Sequence, residues 1–489
     1  MPNPLHLIDF YKSGHRHQYP VGTTKVYSNF TPRSGKLSNL PQDLHNGRVT
    51  FFGLQYFCKR VLQEMFDAYF FNLPKEKVIA EYKRRMDTSL GIGAVPTDHI
   101  EALHDLGYLP ILIKALPEGV EASPKIPFLT IENTLPEFFW LTNYLETILS
   151  NYLWKSCTSA TTARFYRGLC DKAATVTGAP VDFVPFQCHD FSFRGMSLWE
   201  DAALSGAAHL TSFVGTDTVA AIDLLERYYG ADAEKELIGC SVPASEHSVM
   251  CMGGCDDEIG TFRRFITDLY PSGIVSIVSD TWDFWRVVTE YVTVLKPEIL
   301  ARNGKLVIRP DSGDPLKIIC GDDSEPDGSP ANIGALECLW EVFGGTVTET
   351  GHRVLDSHIG LIYGDSITPQ RCHDILERMR LQGFASCNVV FGVGSFTYQY
   401  VTRDTHGFAV KSTYGEINGA GVDIYKDPKT DDGVKKSARG RIKVTIEGGE
   451  YCLIDQRQDD DSGELKPVFE NGKLLRETTL AEIRERIRG

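Results

Sequence analysis

The segment Arg309-Pro310-Asp311-Ser312-Gly313-Asp314 sets an arginine and a carboxylate within one turn of each other, around a proline that fixes the backbone. Arginine offers a planar fork to phosphate oxygens. A carboxylate there can accept ribose hydroxyls, hold a magnesium ion or steady a developing positive charge. The competing reading is an Arg–Asp pair that caps a helix. His247 lies in SVPASEHSVM, directly after Glu246. A lone histidine is usually structural. In a pocket it would act as a general acid–base or attack a phosphoryl group, and spacing does not separate these roles. YGDS (363–366) and FGVGS (391–395) are rich in small residues with free backbone N–H groups that could cradle a phosphate. His247, Cys251 and Cys255 also fall at four-residue spacing, as metal ligands on one helix face would. Gly253-Gly254 would break such a helix and no fourth ligand is evident, so zinc is not expected.

These residues share one kind of position. In the middle of the chain, short β-rich runs end in polar or glycine residues, and each is followed by a helix-like stretch. The runs begin at Val181 (VDFVPF), Ala208 (AHLTSF), Ile238 (IGCSV), Gly273 (GIVSIVSD), Lys305 (KLVIRPDSG), His358 (HIGLIYGD) and Asn388 (NVVFGVG). DTVAAIDLLERYYG and PQRCHDILERMRLQGF are two of the amphipathic stretches between them. Most spacings match the roughly 30 residues of a βα unit. This alternation predicts an α/β fold with a (β/α) barrel of seven or eight units. An open doubly wound sheet is the runner-up, disfavoured because no G-x-G-x-x-G follows the first strand. The one long interval, before His358, holds the turn-rich insertion GDDSEPDGSPANIG.

In a barrel the carboxyl ends of the strands face one pocket. Those ends supply His189, Asp190, Phe191 and Arg194; Asp217; Ser241 and His247; Ser276 and Asp280; Arg309 and Asp311; Gly364 and Asp365; and Gly392, Gly394 and Ser395. Any one of them alone reads as a turn residue or helix cap. Their equivalent positions make the case for a site, with a phosphate expected at the last two strand ends.

The flanks do not alternate. Helix-like GLQYFCKRVLQEMFDAYFF mixes with β-like TTKVYSNF, PILIKALPEGV and FLTIEN near the start, and FAVKSTYGEI and GRIKVTIEGGEYCLI precede a short terminal helix near the close. The expected organisation is a barrel over 151–399 and a discontinuous α+β domain from 1–150 and 400–489. A chain of 489 residues exceeds one ordinary core, in keeping with two domains.

Composition narrows the function classes. The net charge of −15 and pI near 5.4 argue against a nucleic-acid or anionic-membrane surface, so phosphate binding must come from local basic residues. No apolar stretch approaches the roughly 20 residues of a membrane span, and the start lacks the layout of a signal peptide. The 12 cysteines form no C-x-x-C pair and read as buried thiols. A cytoplasmic protein is expected.

HDFSFRG, GTDT, SVPASEHS, VSIVSD, RPDSGDP, YGDS and FGVGS, in this order and at these spacings, closely resemble the nicotinamide phosphoribosyltransferase family. The likeness runs from LIDFYKSGHRHQYP and TTKVYSNFTPR to YKDPKTDDGVKKSARGR. The resemblance implies a dimeric type II phosphoribosyltransferase, with sites shared between subunits. Its reaction joins nicotinamide to phosphoribosyl pyrophosphate, giving nicotinamide mononucleotide and pyrophosphate for NAD biosynthesis.

By the same resemblance, Phe191 stacks on the pyridine ring with the partner subunit's Tyr11 on the other face, and Asp217 accepts a hydrogen bond from the carboxamide. Arg194 lies near the amide and pyrophosphate, and Arg309 and Asp311 hold ribose and phosphates. Gly364, Asp365, Gly394, Ser395 and Arg403 bind the ribose and 5′-phosphate. His247 is implied to be phosphorylated by ATP, which couples ATP hydrolysis to synthesis. Arg33, Lys411, Lys426 and Lys435 supply a phosphate-binding surface, and Mg2+ accompanies the pyrophosphate groups.

Two departures from the family stand out. Ser395 replaces an expected glycine, which matters only if glycine's φ is required there. The insertion around Gly321 to Asn332 is longer than usual and reads as an added surface loop. Nicotinate phosphoribosyltransferase is the alternative enzyme, and Asp217 speaks against it because a carboxylate would repel nicotinate. A non-catalytic binding protein on the same fold would be expected to lose Arg309, Asp311 or His247, and all three are present.

Overall fold

The computed structural model describes residues 3–425, 438–456 and 462–488. The chain divides into two compact units. The first comprises Met1–Thr161, Leu225–Ala231 and Val401–Gly489, and the second Thr162–Leu224 and Asp232–Tyr400.

The first unit is built on a seven-stranded sheet whose neighbours are all antiparallel. Thr23–Thr31 lies inside it, paired with Ala409–Ile417 on one side and Leu129–Asn133 on the other, which welds the two ends of the chain together. The apolar core mixes aliphatic and aromatic residues, and Phe30, Phe51, Phe57, Phe70, Phe408 and Phe469 are fully buried in it. A buried carboxylate serves this unit structurally. Glu118 accepts hydrogen bonds from Gly53 N and Gln55 N, both at 2.6 Å, and from the Tyr229 hydroxyl at 3.0 Å. Tyr229 belongs to the short Leu225–Ala231 piece, whose membership of this unit no alternation in the sequence announces.

The second unit contains a six-stranded parallel sheet in the order Gly215–Thr216, Cys188–Asp190, Val389–Val393, Ile359–Tyr363, Asn303–Arg309, Ser272–Val278. Its two edges meet one short segment. Gly215 bridges in parallel to Cys240, and Ala244 bridges in parallel to Ser276, which closes the ring. Val275, Ile277, Leu306, Ile308, Leu361, Val389 and Phe391 fill the interior or pack under the helices. An α/β barrel with seven members results, because parallel strands need covered faces and crossover connections.

The last four β-rich runs of the sequence become strands close to their expected positions. The first three do not. VDFVPF is a 3-10 helix, Val181–Phe186, because Pro185 has no N–H to give a ladder; the strand starts later, at Cys188. AHLTSF begins inside the helix Trp199–His209, where Ala202, Ala203, Ala207 and Ala208 favour helix, and the strand is again later, at Gly215. IGCSV makes only the single bridge at Cys240 and is followed by Pro243. The insertion is a compact knot: Asp322 accepts from Ser324 N and Oγ at 3.0 and 2.7 Å and pairs with Lys317 at 2.9 Å, while Asp323 meets Arg378 at 3.2 Å. No helix among the described residues is long and apolar enough to cross a membrane.

Glu118→Ala leaves two backbone donors and a phenol without partners inside the first unit. It is expected to cost about 2–3 kcal/mol, read from the urea unfolding midpoint.

Candidate active site

The strand ends of the closed ring surround a cavity of about 750 Å³. One wall carries His247, Arg309, Asp311, Gly364 and Asp365; the other carries Phe191, Phe193, Arg194, Asp217 and Thr218, with Gly394 and Ser395 between them.

Arg309 ends its strand and Asp311 follows the proline. The helix-cap reading fails here, since Asp314 caps the next helix: its carboxylate accepts from Leu316 N and Lys317 N at 3.0 and 3.4 Å. Asp311 is thereby left for the cavity. Arg309 Nη2 donates to the Ser245 carbonyl at 2.8 Å, tying the Arg309 strand to the loop that carries His247. Arg309 Nε and Asp311 Oδ1 lie 3.5 Å apart, too long for a good hydrogen bond, and both are buried without hydrogen-bond partners. The pair keeps binding capacity rather than satisfying itself.

Asp280 places this loop. Its Oδ2 accepts from Asp311 N at 2.9 Å and Ser312 N at 2.7 Å, so the acidic side chain is held by backbone dipoles. From the other side the Tyr363 hydroxyl lies 2.7 Å from the Ser312 carbonyl and 3.0 Å from that of Gly313. Burial raises the Tyr363 pKa, and the carboxylates of Asp280, Asp311, Asp314 and Asp365 raise it further, so the phenol keeps its proton. Burial also raises the Asp311 pKa; Arg309 opposes that, Asp280 adds to it, His247 opposes it and Asp365 adds to it.

His247 is the first residue of the helix His247–Gly253 and its side chain is 47% exposed. Nδ1 lies 3.1 Å from the Thr281 hydroxyl. Nε2 is left facing Asp280 Oδ1 at 3.7 Å and Asp311 Oδ2 at 3.9 Å. The helix ends at Gly253, Cys251 and Cys255 are exposed, and no cluster of three or more His, Cys, Asp or Glu among the described residues suits a metal ion. Magnesium asks for less: one or two carboxylates together with substrate phosphates. Asp280 Oδ1 and Asp311 Oδ1 are buried oxygens without hydrogen-bond partners, and they fit that demand.

The opposite wall is tied together below its surface. Asp190 is fully buried at the end of its strand, and its carboxylate accepts from Ser192 and Thr218, the neighbours of Phe191 and Asp217. Ser241 Oγ donates to Asp217 Oδ1 at 2.6 Å, which orients that carboxylate. His189 stands edge-on to Phe191, ring centroids 5.8 Å apart; burial lowers its pKa to about 4, so it is neutral at pH 7.

The glycine turns behave differently from one another. Gly364 N donates to the Pro310 carbonyl at 3.2 Å, so this N–H is not the free phosphate donor that the sequence suggests. What position 364 requires is space, because a Cβ there would sit 2.0 Å from Asp311 Oδ1. Ser395 opens the helix Ser395–Gln399 and is not among the residues with positive φ, so glycine's freedom is not needed there. Its hydroxyl occupies room left by Gly195, whose added Cβ would fall 2.0 Å from Ser395 Oγ.

Ser276 does not reach the cavity wall; it is buried in its strand with its hydroxyl unpartnered. Thr218, Phe193, Thr281, Ser245 and Tyr363 contribute without having been singled out. Thr218, Phe193 and Thr281 directly follow or precede recognised residues, Ser245 stands two positions before His247, and Tyr363 reads simply as a strand residue.

The first unit holds the remaining candidates. Tyr11 is 59% exposed, Arg33 Nε donates to the Gly407 carbonyl at 2.9 Å, and Arg403 is exposed beside Asp404. Lys411 is exposed overall, yet the protein around it desolvates the ammonium and lowers its pKa; Glu146 opposes this, and Arg33, Lys12 and Arg403 lower it further. A local cationic cluster therefore exists on an acidic chain. Lys426 and Lys435 lie outside the described residues.

A closed parallel ring whose strand ends present an Arg–Asp pair, a glycine turn and the Phe191 ring around one cavity is the architecture of a barrel enzyme. Known proteins narrow the class. The nicotinate phosphoribosyltransferase family model matches residues 186–473, and the N-terminal-domain model of nicotinamide phosphoribosyltransferase matches residues 3–68. A nicotinamide phosphoribosyltransferase of Acinetobacter baylyi is 56% identical over 99% of this chain and 97% of its own length. One from Xanthomonas campestris is 35% identical over 99% and 98%. Among solved structures, nicotinate-nucleotide pyrophosphorylase from Pyrococcus furiosus aligns with a TM-score of 0.57 at 16% identity, covering 99% of this chain and 95% of that one. Human nicotinic acid phosphoribosyltransferase aligns with a TM-score of 0.51 at 14% identity, covering 98% and 92%. These two likenesses speak for the fold. The chain belongs to the nicotinamide phosphoribosyltransferase family.

Gly364→Ala forces Asp311 aside and is expected to lower kcat/KM about 100-fold while the fold persists in circular dichroism. Since burial raises the pKa of Asp311, a reaction that needs its carboxylate loses rate as pH falls through a value above the ordinary 3.8. Asp365→Asn removes one charge that raises this pKa, so the acid limb of the kcat/KM profile moves to lower pH. An unmoved limb would assign it to another group.

Proposed function

We propose that this chain transfers the phosphoribosyl group of phosphoribosyl pyrophosphate to the ring nitrogen of nicotinamide, giving nicotinamide mononucleotide and pyrophosphate for NAD biosynthesis. The relative that is 56% identical along nearly the whole chain carries this reading. The cavity supplies groups that suit it. The ring nitrogen attacks the anomeric carbon as the C–O bond to pyrophosphate breaks, and the bonding pair leaves with pyrophosphate. Positive charge then builds on the ribose, where the Asp311 carboxylate can balance it, while Arg309 and Arg194 meet the phosphates. The pyridine ring lies flat on Phe191, and its carboxamide N–H donates to Asp217, which Ser241 orients. Gly394 and Ser395 receive the 5′-phosphate beside Gly364 and Asp365. Bound Mg2+ would neutralise the pyrophosphate charge, held through the orphan oxygens of Asp280 and Asp311.

His247 is the proposed acceptor of a phosphoryl group from ATP. Nδ1 is engaged by Thr281, which leaves Nε2 as the nucleophile. The two carboxylates near Nε2 would repel a phosphoryl group unless a cation lay between, which again favours Mg2+. The acting assembly is taken to be a homodimer, with the partner subunit's Tyr11 closing the second face of the pyridine. Arg33, Lys411 and Arg403, together with Lys426 and Lys435, serve as the phosphate-binding surface. A cytoplasmic setting suits the 12 free cysteines.

Two measurements test the residue roles. Asp217→Asn should weaken the preference for nicotinamide over nicotinate by about tenfold or more, from rates on both bases; an unchanged ratio would remove Asp217 from specificity. His247→Ala should keep basal transfer but lose stimulation by ATP. Undiminished stimulation would exclude the phosphohistidine.

A further inference from the structure

The nicotinamide wall depends on a residue that substrate would never touch. Asp190 ends the strand Cys188–Asp190 and is fully buried. Its Oδ1 accepts from Ser192 N at 3.0 Å and from Ser192 Oγ at 2.6 Å, and its Oδ2 accepts from Thr218 Oγ1 at 2.7 Å. Its carbonyl accepts from Asp217 N at 3.0 Å. Ser192 follows Phe191, and Thr218 follows Asp217. One side chain therefore joins the loop that offers an aromatic face to the loop that offers an in-plane carboxylate.

The arrangement is built for rigidity. A carboxylate has two oxygens in one plane at a fixed separation, so bonding a different loop with each fixes the distance and angle between them. Bonds to an ionised acceptor are short and strong, and burial protects them from competing water. Thr218 stands directly before the helix Val219–Tyr229, and its hydroxyl proton goes to Asp190. Gly206 leaves room for this contact, since a Cβ there would come within 3.0 Å of Asp190 Oδ2.

We propose that Asp190 is a positioning residue for base recognition: through Thr218 and Ser192 it sets the Asp217 carboxylate against the Phe191 ring. This rests on the reading that Phe191 and Asp217 hold the pyridine. A flat base that stacks and hydrogen-bonds in its own plane needs both contacts at a fixed mutual angle. Loosening the clamp weakens the base far more than phosphoribosyl pyrophosphate, most of whose contacts lie on the Arg309 and Gly364 wall and at Gly394 and Ser395, with Arg194 alone on the base wall.

The test compares Thr218→Val, which keeps the shape and removes the hydroxyl, with Thr218→Ser, which keeps the hydroxyl; KM is measured for both substrates and Asp217→Ala is the reference. The valine variant should raise the nicotinamide KM about tenfold with the phosphoribosyl pyrophosphate KM within about twofold, and serine should restore the native value. If the valine variant fails to fold, Ser192→Ala probes the other arm with the same expected split. A native nicotinamide KM in the valine variant, an equal rise for both substrates, or no recovery with serine overturns the clamp, provided that Asp217→Ala itself raises the nicotinamide KM. If Asp217→Ala leaves that KM unchanged, the base pocket is misplaced and the clamp falls with it.

Discussion

Cys240 and Ala244 each make one parallel bridge, and through them the edges of a six-stranded sheet meet. Closure in a parallel sheet has a directional consequence. Every strand points the same way, so every carboxyl end arrives at one rim. Phe191, Asp217, Asp280, Asp311 and Asp365 come from five separate βα units and reach one rim through the ladder, where side chains such as Asp280 and Asp190 then fix the loops. The site is thus a property of the ladder, and a short segment with two bridges completes it.

Charge is managed on that rim by backbone as much as by side chains. Burial raises the Asp311 pKa, Arg309 opposes the rise, and the charges of Asp280 and Asp365 add to it. Two peptide N–H groups absorb one oxygen of Asp280, and three donors absorb both oxygens of Asp190. The orphan oxygens of Asp280 and Asp311 leave acceptor capacity on the rim beside the Arg309 guanidinium.

The departure at position 395 shows how local rules and packing interact. A serine where glycine is expected would be costly if the turn needed a left-handed φ. The turn does not, and Gly195 across the rim gives the hydroxyl its space. The fold likenesses at 16% and 14% identity make the complementary point: the scaffold tolerates almost complete replacement of side chains.

Residue order and chemistry alone carried a good deal. The βα alternation predicted a parallel α/β core, the strand ends named most of the cavity wall, and the motif series pointed to the family. These features are local, written in consecutive residues, and survive without a three-dimensional context. Tertiary structure decided the rest. It moved two short strands downstream and reduced IGCSV to a single bridge, because so brief a strand has too little periodicity to read and is stabilised by its neighbours. It assigned the helix cap to Asp314 and freed Asp311, assigned the Gly364 N–H to Pro310, and buried Ser276. It also disclosed Asp190 as the clamp between two loops. The physical reason is common to all of these: a hydrogen bond or a close approach between residues distant in sequence depends on distances that only the closed ring establishes.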